Sequence, residues 1–74
     1  MNEKITQLIA EKLGILPADV KPESTLIDLG ADSLERVELI MDIETQFKIT
    51  IPDNEAELIE TVAELCEYVA GKLK

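Results

Sequence analysis

Asp28-Leu29-Gly30-Ala31-Asp32-Ser33-Leu34, continued by Glu35, is where a loop hands over to a helix. The Asp32 carboxylate can accept from the unpaired N–H groups of a first helical turn. Glu35 follows at the third position on, so Asp32-Ser33-Leu34-Glu35 reads as an aspartate version of the capping box. Ser33 then occupies the first helical position, with its hydroxyl exposed at the positive end of the helix dipole. Free N–H groups and dipole both favour an anion on that oxygen. The plainer alternative is a polar residue in a well-capped turn, and capping chemistry alone favours it, because such signals open many helices.

Downstream of Ser33 the pattern predicts a helix to about Phe47 with two apolar sectors. Leu39, Ile40, Ile43 and Phe47 form a broad core-facing side. Leu34, Val37 and Met41 form a second stripe, flanked by Glu35, Glu38 and Asp42 on one side and Glu44 on the other. An apolar strip rimmed by carboxylates suits docking; periodicity equally allows every apolar residue to be core. Arg36 is out of keeping, a cation close to the positive end of the dipole. Pairing with Asp32 or another nearby acid, and tuning of partner choice, are both open for it.

Upstream, Asn2 can cap an amphipathic helix over residues 3–13, with Ile5, Leu8, Ile9 and Leu13 on its apolar stripe and Gly14 as its stop. Residues 14–32 are a long connection, with a short turn at Pro17-Ala18-Asp19-Val20 and Pro22 barring continuation. Ile15, Leu16, Val20, Leu26, Ile27 and Leu29 can anchor it to the core. Gly30 suits a backbone conformation that other residues resist. Beyond Phe47, Ile49-Thr50-Ile51 reads as a short extended connector with Ile49 and Ile51 buried. Asp53 can cap a short helix at about 54–59, with Ala56 and either Ile59 or Leu58 inward. Thr61-Val62-Ala63-Glu64 is a second capping box. It opens a helix whose stripe is Val62, Leu65, Cys66, Val69 and Leu73, weakened near its end by Gly71. Cys66 reads as a small buried hydrophobe. The expectation is one all-α domain, 1–74: a small four-helix bundle of three main helices and a short third, with a long loop between the first two.

At 74 residues and 46% hydrophobic content the chain can fold, around a limited and mostly aliphatic core. Sixteen acidic and seven basic residues give a net charge of −9. Thirteen of the acids fall between Glu23 and Glu67, against Arg36 and Lys48 as the only bases there. Nucleic acid and anionic membrane surfaces are unsuitable partners for such a chain, whereas basic protein surfaces are natural ones. No apolar run approaches the roughly 18 residues of a membrane span, and no signal-peptide order is seen at the start. Without histidine, no Ser-His or Cys-His pair can form. The Gly-x-Ser-x-Gly elbow, a Cys/His cluster, an EF-hand loop and a Gly-rich phosphate loop with Lys are missing too. No catalytic residue and no metal ligand is expected, beyond diffuse cation binding by acids such as Asp28 and Asp32.

Asp28 to Leu34, followed by Val37-Glu38-Leu39, closely resembles the prosthetic-group site of acyl carrier proteins. The likeness extends through Phe47, Ile51-Pro52-Asp53, Thr61-Val62 and Tyr68, over essentially the whole chain, and the length fits a free-standing carrier. The resemblance implies phosphopantetheine, transferred from coenzyme A and held on Ser33 between Asp32 and Leu34. It implies a non-enzymatic monomer that carries acyl chains as thioesters in fatty acid biosynthesis. Leu34, Glu35, Val37, Glu38, Met41 and Glu44 match the family's partner-docking positions, where a phosphopantetheinyl transferase and acyl-processing enzymes with basic surfaces would bind. Leu39, Ile43, Ile51, Ala56, Ile59 and Leu65 are expected to line an acyl pocket, with Val37 and Met41 near its mouth. The expected setting is the cytoplasm, or an organelle if a transit peptide was removed. A carrier of polyketide, aminoacyl or peptidyl cargo is the alternative within the family. An unmodified acidic interaction module, or a calcium-responsive bundle, is the alternative outside it.

Overall fold

The computed structural model describes residues 2–73. Helix α1, Glu3–Leu13, begins where Asn2 Oδ1 accepts the N–H groups of Lys4 at 2.9 Å and Ile5 at 3.2 Å. It ends at Gly14, whose φ of +67° is the left-handed conformation that lets a chain leave a helix. Helix α2, Ser33–Phe47, starts in the expected capping box and ends with Lys48 in the left-handed region. Helix α4, Val62–Lys72, starts in the second capping box, at Thr61. These three helices and a short α3, Asp53–Ala56, make the all-α bundle expected from the pattern.

One aliphatic core joins the elements. Ile5 and Ile9 of α1, Leu39 and Ile43 of α2, and Val62, Leu65 and Val69 of α4 have no exposed surface. No polar side chain is buried among the described residues. The radius of gyration, 11.0 Å, is what a compact chain of this length should have, roughly 11 Å. An ion pair between Lys12 and Asp42, 3.1 Å long, links α1 to α2 at the surface.

The long connection is packed, and its packing aims the chain at Ser33. After a 3-10 turn at Pro17–Asp19, Val20 and Leu26 are buried, and Ile15 and Leu29 pack against the core. The Pro22 and Ser24 carbonyls accept the N–H groups of Ala63 and Val62, both at 2.9 Å. Those donors belong to the first turn of α4, where a helix has no acceptors of its own. An isolated antiparallel bridge pairs Thr25 with Thr61 beside them. Residues 25–31 then coil into successive turns, with Ala31 donating to the Leu26 carbonyl at 3.0 Å.

Three expectations need correction, and one alternative left open is resolved. Leu16 and Ile27 do not anchor the loop: they are 68% and 73% exposed. Leu16 flanks the 3-10 turn on its outer side, and in the tight turn after Thr25 the adjacent Leu26 takes the inward place. Helix α3 is shorter than expected, and Asp53 is its first residue rather than its cap, with Pro52 in the capping position and no side-chain cap bond. Of the apolar pair at its exit, Ile59 is buried and Leu58 exposed. Leu73 lies one residue past the end of α4 and is half exposed, so the buried stripe closes at Val69.

Candidate functional site

The site grows from the turn ahead of α2. Gly30 has φ +101°, a conformation that L side chains rarely adopt. It turns the chain so that Ala31 is buried while Asp32 and Ser33 emerge. Asp32 Oδ1 then accepts the Glu35 N–H at 2.7 Å, and Glu35 Oε1 accepts the Asp32 N–H at 3.3 Å. The carboxylates of the box are thereby committed to each other's backbone. The N–H groups of Ser33 and Leu34 precede the helix's first internal bond, and none of the described residues takes them. The Ser33 side chain is exposed beside those donors, at the mouth of a groove of about 510 Å³.

That groove runs along α2 toward Ile51 and α3. Val37, Ile40, Met41, Ile51 and Ala56 supply its apolar lining, and Asp32, Arg36, Glu44, Asp53 and Glu57 its polar rim. Of the six residues expected to line an acyl pocket, Ile51 and Ala56 lie here. Ile59 lines an adjoining groove of about 360 Å³, together with Leu26 and Ile27. Leu39, Ile43 and Leu65 line neither groove; they are sealed in the core.

The outer stripe of α2 stays out of the core, with Leu34 67%, Val37 56% and Met41 58% exposed. Its acidic rim is less free than the sequence suggested. Asp42 pairs with Lys12, and Glu44 accepts the Ile51 N–H at 2.8 Å, fastening the connector after α2. Glu35 closes the capping box, and Glu38 is exposed.

Of the roles the sequence left open for Arg36, pairing with an acid is not seen among the described residues. Its Nη2 donates to the Ala56 carbonyl at 2.9 Å and the Ile59 carbonyl at 3.0 Å, at the exit of α3. Carbonyls at a helix end lack intrahelical donors, and a cation there is favourable. From the other side Tyr68 Oη donates to Glu55 Oε1. That bond holds the phenolic proton, and with burial and the Glu55 charge it pushes the Tyr68 pKa up to about 12. Lys72 lies 5.5 Å from the centre of the Tyr68 ring. Sequence reasoning missed both ties, whose partners are far away along the chain; an isolated arginine in an acidic segment was the one available signal.

The arrangement offers a hydroxyl for attachment, unpaired N–H groups for an adjoining anion, and an apolar groove within reach. Among the described residues no group of three or more His, Cys, Asp or Glu is placed to hold a metal ion. Among the described residues no helix is long and apolar enough to cross a membrane. A family model described as "Phosphopantetheine attachment site" matches residues 3–69, from the start of α1 to the last buried residue of α4.

Proposed function

The chain belongs to the phosphopantetheine-attachment family, and on that premise we propose that Ser33 bears the prosthetic group and that the cargo is an acyl chain of the fatty-acid type. Members of this family are carrier domains, not catalysts, and hold phosphopantetheine covalently. The group supplies a terminal thiol able to hold an acyl group as a thioester. The observation that carries the assignment is the exposed Ser33 at the first position of α2, beside two unpaired N–H groups and at the mouth of the larger groove. The donors and the helix dipole favour a phosphodiester on that oxygen.

Asp32 and Leu34 flank the attachment point in different roles. Asp32 fixes the start of the helix through the Glu35 N–H. Leu34 is exposed beside Ser33, with Val37 and Met41 continuing the apolar surface along α2. We place partner docking on this surface, with Glu35, Glu38 and Glu44 as its acidic margin and basic enzyme surfaces as its complement. Glu38 is the margin's most available charge, since Glu35 and Glu44 also serve the backbone. The aliphatic lining of the groove supports a hydrocarbon cargo. Sheltering such a chain from water is worth up to about 0.8 kcal/mol per CH₂.

The test is intact mass after incubation with coenzyme A, Mg²⁺ and a broad-specificity phosphopantetheinyl transferase. Wild type should gain one phosphopantetheinyl group and Ser33→Ala none, with an unchanged helical signal. A gain on Ser33→Ala would move the site elsewhere, and no gain on either folded protein would sink the carrier assignment. Loading of the modified protein by fatty acyl, rather than polyketide or aminoacyl, loading enzymes would establish the cargo.

A further inference from the structure

Arg36 lies at the junction of the two grooves. Along with Ile27 and Glu57 it lines both. Its guanidinium spans from α2 to the exit of α3, where one nitrogen holds the carbonyls of Ala56 and Ile59. On one side lies the groove that opens at Ser33; on the other lies the groove floored by Leu26 and Ile59. Helix α3 contributes no buried residue of its own, so its position relative to α2 depends strongly on polar ties. Arg36 is also one of only two bases between Glu23 and Glu67, and no ion pair competes for it among the described residues.

We propose that Arg36 is a latch that sets how far an acyl chain can run. While it grips the two carbonyls, a chain starting at Ser33 is confined to the groove along Val37, Ile40 and Ile51. When it lets go, α3 moves from α2 and the two grooves join, opening a path to Leu26 and Ile59. Arg36 is thus a specificity-determining residue for chain length, acting through α3 on the apolar path. This rests on the assignment of Ser33 as the attachment point; the latch itself is a property of the unmodified protein.

Two measurements test it. In unmodified protein, Arg36→Gln should speed amide exchange of Glu57, Leu58 and Ile59 roughly tenfold relative to wild type, since a charged donor is lost from their turn. In protein loaded with saturated acyl groups of increasing length, the thermal midpoint should rise with each sheltered CH₂, by up to roughly 3–6 °C. Wild type should reach a plateau at the length that fills the first groove, and Arg36→Gln should keep rising beyond it. Unchanged exchange, or the same plateau in both proteins, overturns the latch. Failure of wild type to accept phosphopantetheine overturns the carrier assignment and with it the chain-length role, while the exchange comparison still decides whether Arg36 holds the exit of α3. If Arg36→Gln does not fold, Arg36→Lys, whose ammonium can reach one carbonyl, takes its place. Intermediate exchange is expected for it, and wild-type exchange overturns the proposal.

Discussion

Asp32 Oδ1 is 2.7 Å from the Glu35 nitrogen, and this bond determines where α2 begins. Asp32→Ala should therefore cost about 1 kcal/mol of unfolding free energy, and Asp32→Asn much less, since an amide oxygen caps nearly as well; urea titration checks both. Gly30→Ala is a different kind of change. The added Cβ meets no atom within 4 Å, so sterics with neighbours are not the obstacle. The φ of +101° is, and the substitution should cost about 1 kcal/mol or more by the same measurement. Both positions were legible in the sequence, because caps and turns are written within a few residues. Arg36 was not. Its acceptors lie 20 and 23 residues further on, and they are carbonyls, which every residue carries and no sequence marks.

Helix α3 shows the same limit one level up. Four residues cannot hold a helix by their own hydrogen bonds, so its place depends on Arg36 from α2 and Tyr68 from α4. Tyr68→Phe removes the bond to Glu55 and should lower stability by about 1 kcal/mol at neutral pH, read by denaturant unfolding. The pH dependence has a definite sign. The folded Tyr68 pKa, about 12, exceeds the ordinary value near 10, so the fold favours the protonated phenol. That contribution is complete below pH 10 and is lost as the pH rises toward 12. The wild-type advantage over Tyr68→Phe should shrink across this window, and an advantage that persists beyond it would contradict the account. The long helices were readable because amphipathic periodicity accumulates over several turns. The bounds of α3 were not, because a single turn has no period to detect. The loop's anchorage was hidden for a related reason: Pro22 and Ser24 are held through their backbone.

At the scale of the molecule, charge and core oppose each other. The net charge of −9 is spread over a body 28 Å in its longest dimension. Raising ionic strength from about 0.01 M to about 0.15 M shortens the screening length from about 30 Å to about 8 Å. Acids that repel across the whole molecule then cease to do so. The Lys12–Asp42 pair is weakened at the same time, but an exposed pair contributes little. The thermal midpoint should rise with salt by several degrees, and a fall would mean that specific ion pairs outweigh the general repulsion. Against this stands a core in which Leu65 has no exposed surface. Leu65→Ala should cost about 2–5 kcal/mol, a large share of a small domain's stability, measured by urea unfolding. The donors that hold the Pro22–Ser24 segment belong to Val62 and Ala63, some forty residues later. During synthesis the turn bearing Ser33 leaves the ribosome well before them, when the loop that leads into it still lacks these backbone partners. On the proposed assignment of Ser33, a transferase that reads this turn as a shape would meet a finished substrate only after α4 has emerged, which would make attachment a late event in the life of the chain and keep coenzyme A from being spent on incomplete ones.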